Sequence, residues 1–290
     1  MQFYNLTFLL GVIVSLFWAW NSTSSFFKSG CKKVFFFVFL IIVCFVAARI
    51  NVICFAGRAT LRHGLLSIMP YDYSAIGAVI GGIIFAYAYC LITKQNTLAL
   101  MNILSSPCFL CILFERLAER FSDFGWGPIM PAGFPTFLCV PDIYGQQHLA
   151  LFYFEAICAL FLFYHSTAPI KHKRDWIFFE SFIVFCSAQI FCESLRSETL
   201  RMGFVKIHQV ECALIILFLV FRSSPNQELY KKKCLLIVLC MIATVGLCEY
   251  ALDKLPWIPH IITYTVMIIS LFFSALFLIK SRRIIQHGSD

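Results

Sequence analysis

Charged residues are scarce in this sequence of 290 amino acids: Asp, Glu, Lys and Arg make up 13% of it, and hydrophobic residues make up 60%. Soluble domains are usually about half apolar and about a quarter charged. The shortage of charge therefore excludes a soluble enzyme and a disordered chain. The sequence also lacks the alternation of polar and apolar residues that barrel strands require. It contains unbroken apolar runs instead, such as residues 34–46, and these predict membrane-spanning helices.

Nine apolar segments predict an all-α polytopic integral membrane protein with about nine transmembrane helices. The segments are approximately residues 4–20, 34–55, 75–93, 98–117, 148–164, 176–193, 205–221, 234–252 and 258–279. Most Lys and Arg residues follow odd-numbered segments, and basic residues favour the cytoplasmic side of a membrane. We therefore expect the N-terminus outside and the C-terminus in the cytoplasm. The first segment lacks a basic leader and a small-residue cleavage pattern, so we expect it to remain as the first span.

The sequence lacks a clear signal for a metal, a cofactor or a nucleic acid. The formal net charge is +8, but the basic residues lie in short connections, where they indicate orientation in the membrane. Most of the 14 cysteines lie within apolar runs, where they are expected to pack as small hydrophobic side chains. Cys108 and Cys111 form a Cys-x-x-Cys pair, but a zinc site needs four ligands and no others converge in sequence. We expect no metal and no cofactor.

Two connections indicate how the chain is organised. The longest, about residues 121–147, is rich in Gly, Pro and aromatic residues and shows no clear helix or strand pattern. Long connections of this kind are often functional. A short polar linker at residues 223–226 is the candidate module boundary. It separates a predicted seven-helix core, residues 1–222, from two additional C-terminal helices, residues 223–290.

Several ionisable or amide side chains fall at membrane depth, where a charge costs a few kcal/mol on insertion scales. They are Arg49, Glu115, Arg116, Glu119, Glu155, Gln189, Glu193, Arg196 and Glu211. One interpretation is a set of structural ion pairs near helix ends. Under the predicted topology, however, several of these residues lie near the same outer face. Arginine binds phosphate through paired N–H donors, so the grouping predicts a basic, partly buried pocket for a phosphate head group.

Helical spacing pairs four of these residues. Arg116 and Glu119 are three residues apart and share a helix face, and so do Glu193 and Arg196. Each pair is either a local salt bridge or a carboxylate that orients its neighbouring guanidinium toward a ligand.

In chain order, seven stretches resemble motifs of the prolipoprotein diacylglyceryl transferases of bacteria, over about residues 1–222. In the first three helices, residues 3–6 followed by Gly11 resemble that family's Trp-Tyr-Gly-Leu, residues 47–49 its Gly-Ala-Arg, and residues 76–82 its His-Gly-Gly-Leu-Ile-Gly. Around the outer connection, residues 116–119 followed by Gly127 resemble its Arg-Leu-Gly-Asn and trailing Gly, and His148 with Tyr153 resembles its His-Pro-x-Gln-Leu-Tyr. Later, residues 189–196 are similar to its Arg-Phe-x-x-Glu-x-x-Arg, and Gln209 with Cys212 to its Gly-Gln-x-x-Ser.

The sequence departs from the family pattern at identifiable positions. The family's His falls on Ile76, its signature Asn on Glu119, and its Arg and Tyr of the sixth span on Gln189 and Phe185. The two helices after Pro225 are not part of the family's usual seven. Two alternatives therefore stay open: a non-catalytic or substrate-altered homologue that binds phospholipid, and a small-solute membrane transporter.

The resemblance implies transfer of a diacylglyceryl group from phosphatidylglycerol to the cysteine thiol of a prolipoprotein lipobox, with release of glycerol phosphate. It implies a multi-pass protein of the bacterial plasma (inner) membrane, with the lipid bilayer as its setting. Four residues are the expected catalytic set. Arg116 would hold the phosphate, and Tyr4 would donate to a phosphate or glycerol oxygen. Glu119 or Glu193 would orient Arg116 or accept the thiol proton.

Five further residues are the expected substrate-binding set. Arg196 would be a second cation, and Gly127 would give the outer connection its close turn. His148 would be a reserve base, although a lone interfacial histidine is more often structural. Gln189 and Arg49 complete the set by their positions in the motifs.

Overall fold

The computed structural model describes residues 2–27, 29–56, 73–122, 125–131, 133–142, 144–167, 176–197, 201–223, 228–255 and 257–287. Nine α-helices lie within these residues. They are α1 Gln2–Ser22, α2 Gly30–Ala56, α3 Ala75–Thr93, α4 Thr97–Ala118, α5 Leu151–Thr167, α6 Ile177–Leu195, α7 Ile207–Ser223, α8 Glu228–Lys254 and α9 His260–His287. Each helix overlaps one of the nine predicted segments, and the prediction of an all-α polytopic membrane protein is confirmed.

Within the described residues, seven helices are long and apolar enough to cross a membrane: α1 to α4, α6, α8 and α9. Helices α5 and α7 have 17 residues each, slightly fewer than the roughly 20 that usually span the hydrocarbon core. Nine crossings, an outside N-terminus and a cytoplasmic C-terminus therefore stay predictions.

The outer connection contains a small antiparallel sheet, so the expectation that it lacks strands is wrong. Its strands are β1 Trp126–Ile129, β2 Cys139–Pro141 and β3 Gln147–Ala150, in the order β1-β3-β2. The strands have only three or four residues, and two of them contain a proline, so they carry no readable alternation. A second pair, β4 Arg201–Met202 and β5 Val205–Lys206, precedes α7, where the sequence had predicted the start of the seventh span.

The chain forms two compact units, Met1–Phe178 and Phe179–Asp290. In the first unit α4 packs against α1, α3 and α5, while α2 packs against α3. In the second unit α8 packs against α7 and α9. The predicted module boundary at residues 222–223 stays a prediction.

Helices α2 and α3 approach closely because small residues line their contact. A side chain at Gly77 would overlap Asn51, and one at Gly81 would overlap Ala47. Small residues spaced four apart allow two membrane helices to pack backbone against backbone. Ser74 caps the start of α3 by accepting a hydrogen bond from the backbone N–H of Gly77 at 3.1 Å.

Helix α4 carries the candidate site at its C-terminal end. The side chain of Asn96 caps the first turn by accepting hydrogen bonds from the backbone N–H groups of Leu98 and Ala99. At the other end, a 3-10 turn, Glu119–Phe121, continues the helix. Gly11 of α1 leaves no room for a side chain against Phe114, so α1 lies directly on the last part of α4.

Candidate active site

A buried guanidinium surrounded by three carboxylates lies at the end of α4. Arg116 is 4% exposed. Its Nε lies 3.2 Å from Glu115 Oε2 and 3.4 Å from Glu155 Oε2, and its Nη1 is ion-paired with Glu119 Oε1. The predicted pairing of Arg116 with Glu119 is therefore present. Three carboxylates already surround this guanidinium, and the predicted basic pocket for a phosphate head group stays a prediction.

Tyr4 belongs to the same cluster. Its side chain is buried on α1, and Arg116, Glu115 and Glu119 are its charged neighbours. The packing of α1 against α4 thus brings together three of the four predicted catalytic residues, with the Tyr4 phenol beside a guanidinium and two carboxylates.

Gly125 directly precedes β1, whereas Gly127, which was predicted to give the outer connection its close turn, lies within β1, and its predicted role stays a prediction. Gly125 has a φ of +76°, a conformation that favours glycine. A side chain at this position would also overlap Glu119 Oε2. Gly127 lies in β1, where a side chain would crowd Leu149 and Leu151. The outer sheet therefore sits directly against one carboxylate of the Arg116 cluster.

His148 lies in β3 with acceptors at both ring nitrogens. Its Nδ1 is 3.2 Å from the carbonyl oxygen of Gly127, and its Nε2 is 3.5 Å from Asp142 Oδ2. The ring packs on Trp126 with centroids 5.1 Å apart. Contacts at both ring nitrogens and the stacking on Trp126 hold the ring in one position against the sheet. This geometry favours a structural histidine over the predicted reserve base.

Asp142 was not foreseen, because its Pro-Asp context in the sequence resembles an ordinary turn. Desolvation acts to raise the pKa of its carboxyl. Hydrogen bonds from the backbone N–H groups of Gln146 and Tyr144, each 2.8 Å long, and the nearby His148 outweigh that effect and hold the pKa below its usual value.

The second unit holds the other predicted pair. Glu193 is 1% exposed, and its Oε1 accepts a hydrogen bond from Gln189 Nε2 at 3.2 Å and lies 3.4 Å from Arg196 Nε. The predicted pairing of Glu193 with Arg196 is present. Within the described part of the chain, Oε2 of Glu193 is buried and has no hydrogen-bond donor. This oxygen is suited to accept a proton from a ligand.

Lys206 closes the end of α6. Its Nζ donates to the carbonyl oxygens of Glu193, of Ser194 at 3.0 Å and of Arg196 at 2.8 Å. A cation at a helix C-terminus satisfies carbonyl groups that have no partner within the helix. The sequence placed Lys206 at the start of the seventh predicted segment and gave no sign of this contact.

Glu249 of α8 is a third residue that sequence reasoning missed. It is buried, and it accepts hydrogen bonds from Ser194 and Gln209. A signal was available, since Glu249 is an acidic residue inside the eighth apolar segment.

Arg49 lies on α2, where its guanidinium carbon is 5.7 Å from the centroid of the Tyr73 ring. Its predicted contact with substrate stays a prediction. So does the single chamber predicted for Arg116, Glu119, Glu193 and Arg196, since the first two belong to one compact unit and the last two to the other.

Comparison with known proteins gives one family. The model of the prolipoprotein diacylglyceryl transferase family matches residues 1–222. The phosphatidylglycerol–prolipoprotein diacylglyceryl transferase of Rickettsia rickettsii (strain Sheila Smith) is 24% identical over 244 residues, which cover 78% of this chain and 93% of that protein. The protein of the same name from Rickettsia conorii is 23% identical over 244 residues with the same coverage.

Proposed function

The chain belongs to the prolipoprotein diacylglyceryl transferase family, and we propose that it transfers a diacylglyceryl group from phosphatidylglycerol to the cysteine thiol of a prolipoprotein lipobox. The bond between the glyceryl carbon and a phosphate oxygen breaks, and a carbon–sulfur bond forms. Glycerol phosphate leaves with the bonding electrons. The observation that carries the proposal is the buried Arg116–Glu119 pair beside Tyr4, at the position of the family's arginine signature.

In this proposal the guanidinium of Arg116 holds the phosphate and stabilises the charge that develops on the leaving oxygen. Paired N–H donors in a buried setting are suited to that task. Tyr4 donates to a phosphate or glycerol oxygen, and Arg196 is the second cation. Glu119 is ion-paired with Arg116, which supports a role in orienting the guanidinium.

The proton of the attacking thiol needs an acceptor, because the thiolate is the nucleophile. Glu193 is the better candidate of the two predicted carboxylates. Its Oε1 is engaged by Gln189 and Arg196, while its Oε2 has no donor in the described part of the chain. Gln189 then acts by holding Glu193 in place.

The setting of the reaction follows from the lipid substrate. The seven long apolar helices make this a multi-pass membrane protein. We place it in the bacterial plasma membrane, where it would meet phosphatidylglycerol and the lipobox cysteine of a prolipoprotein. Arg49 remains a proposed substrate contact, whereas His148 and Gly127 join β1 to β3.

The test is a transfer assay with the full chain in lipid nanodiscs that contain phosphatidylglycerol. A lipobox peptide should gain the mass of a diacylglyceryl group, and glycerol phosphate should appear in equal amount. Arg116→Ala should lower the rate at least about 100-fold. Arg120→Ala is the matched control, because this neighbouring arginine is exposed and contacts Tyr153. Wild-type rates in the Arg116→Ala variant would reject the phosphate role.

A second candidate, a transferase with an altered lipid donor, is favoured by the three carboxylates around Arg116. A head group that carries an ammonium would suit this cluster better than the uncharged glycerol of phosphatidylglycerol. The same assay with phosphatidylethanolamine nanodiscs separates the two. Faster transfer from phosphatidylethanolamine would favour the second candidate, and transfer from phosphatidylglycerol alone would favour the first.

A further inference from the structure

Helix α8 lies outside the range that the family model matches, residues 1–222, yet it places a carboxylate among residues of the family motifs. Glu249 is 4% exposed. Its Oε1 accepts a hydrogen bond from Ser194 Oγ at 2.5 Å and another from Gln209 Nε2 at 2.6 Å. Ser194 lies between Glu193 and Arg196 in sequence, and Gln209 is the glutamine of the last family motif.

The two donors tie α8 to both neighbouring helices of the site. Ser194 is in the last turn of α6, and Gln209 is in the first turn of α7. Gln209 Nε2 also donates to the carbonyl oxygen of Ile190 at 3.2 Å, and its Oε1 accepts from the backbone N–H of Lys206 at 3.3 Å. One carboxylate oxygen therefore anchors a network that continues into the backbone on both sides.

A buried carboxylate in an apolar helix is costly unless donors satisfy it. Hydrogen bonds to a charged acceptor are about twice as strong as neutral ones. The short contacts to Ser194 and Gln209 fix their two backbones relative to each other. Because Ser194 follows Glu193 directly, a shift of this turn would also displace the Glu193 carboxylate and the Arg196 side chain paired with it.

We propose that Glu249 is a positioning residue: from α8, it fixes the end of α6 against the start of α7 and thereby sets the placement of Glu193 and Arg196. The proposal rests on the function proposed above for Glu193. The C-terminal helix pair then contributes to transfer in this chain, because α8 supplies a carboxylate that residues 1–222 do not contain.

The first experiment measures transfer by the full-length variants in phosphatidylglycerol nanodiscs. Glu249→Ala removes the shared acceptor and should lower kcat about tenfold or more with little change in KM, because misplacement of a reacting group acts on the chemical step. Glu249→Gln keeps an oxygen acceptor for both donors and should stay within about threefold of wild type. Asp253→Ala is the control on the same helix, since this acid pairs with Lys254 at 3.0 Å.

Two milder variants keep the test decisive if Glu249→Ala folds poorly. Ser194→Ala and Gln209→Ala each remove one donor and should each lower kcat a few-fold. In the Glu249→Ala background, Ser194→Ala should have almost no further effect, because the contact is already lost. Additive losses would overturn the proposal, as would a Glu249→Gln variant as slow as Glu249→Ala.

The second experiment does not depend on transfer activity, so it separates this proposal from the proposed function. Hydrogen exchange by mass spectrometry on wild-type and variant nanodiscs reports local opening. Glu249→Ala should speed exchange about tenfold in residues 190–197 and 205–210, and Glu249→Gln and Asp253→Ala should not. Unchanged exchange there in Glu249→Ala would overturn the positioning role even in an active enzyme.

Discussion

Arg116 and Lys206 are both buried cations at helix ends, but their partners differ in kind. In the first unit, one guanidinium is surrounded by the side-chain carboxylates of Glu115, Glu119 and Glu155. In the second unit, the Lys206 ammonium donates to three backbone carbonyls. Carboxylates can gain and lose protons, whereas carbonyls cannot. The first cluster is therefore suited to chemistry that moves charge, and the second to holding a backbone still.

The largest loss of stability should come from removing the Arg116 guanidinium from the first cluster. Arg116→Ala removes the cation that pairs with the carboxylates of Glu115, Glu119 and Glu155, and we expect a loss of about 3–5 kcal/mol in the free energy of unfolding. Arg196→Ala should cost only about 1–2 kcal/mol, because Gln189 still donates to Glu193. Denaturant titrations in detergent micelles measure both. Equal losses would contradict the contrast between the units, and the exposed Arg120→Ala serves as control.

The next effect tests the backbone-holding role of the second cluster. Lys206→Met keeps the apolar stem and removes the ammonium, so three carbonyls at the end of α6 lose a hydrogen bond, although that of Glu193 still accepts one from the backbone N–H of Arg196. We expect a loss of about 2–3 kcal/mol in the free energy of unfolding. Lys254→Met, at a lysine whose side chain is 60% exposed, should change the same free energy by less than about 0.5 kcal/mol. A Lys206→Met variant as stable as this control would show that the cap contributes nothing.

A smaller effect, on substrate affinity, should come from Glu119. Glu119→Asn restores the amide of the family signature and removes one carboxylate that competes with a phosphate for Arg116. We expect KM for phosphatidylglycerol to fall about three- to tenfold, equivalent to about 1 kcal/mol. Asp253→Asn removes a negative charge elsewhere and should leave KM unchanged. A rise in KM on Glu119→Asn would mean that Glu119 itself contacts the lipid.

The smallest effect is a change in local hydrogen-exchange protection at the turn of Asp142, which lies outside both clusters. Because the pKa of this carboxyl is lowered in the folded chain, its contribution to stability is present above its ordinary pKa and disappears as the pH falls through the lowered value. Asp142→Asn should therefore reduce the hydrogen-exchange protection of the Tyr144 and Gln146 amides at neutral pH. The difference from wild type should persist at the ordinary aspartate pKa of about 3.9 and disappear only at lower pH; a difference already lost at about pH 5 would rule out the ionised carboxylate as its cause.

The positions of the helices could be predicted from the sequence because apolar runs mark what the bilayer requires. The residues at which the helices begin and end could not be predicted in the same way. Helix α8 begins at Glu228 and includes Lys231, whereas the apolar segment begins at residue 234. Hydropathy reports the lipid-crossing part, while backbone hydrogen bonding continues into polar turns.

The site was predictable where its contacts are local. The spacing of three residues was enough for Arg116 with Glu119 and for Glu193 with Arg196. The contact of Ser194 with Glu249 joins residues 55 positions apart. The sequence shows that Glu249 is acidic and lies at membrane depth. It does not show which neighbouring helix the Glu249 side chain faces.

The contact between Gly125 and Glu119 limits how the outer connection can diverge. Gly133 and Gly145 also have positive φ angles, but nothing lies within 4 Å of where their side chains would begin. Turns of that kind can be lengthened or replaced with only local strain. At Gly125 even a methyl group would collide with a carboxylate of the Arg116 cluster. The sequence and length of the outer connection can therefore vary around Gly133 and Gly145, whereas position 125 is constrained to glycine by its contact with Glu119.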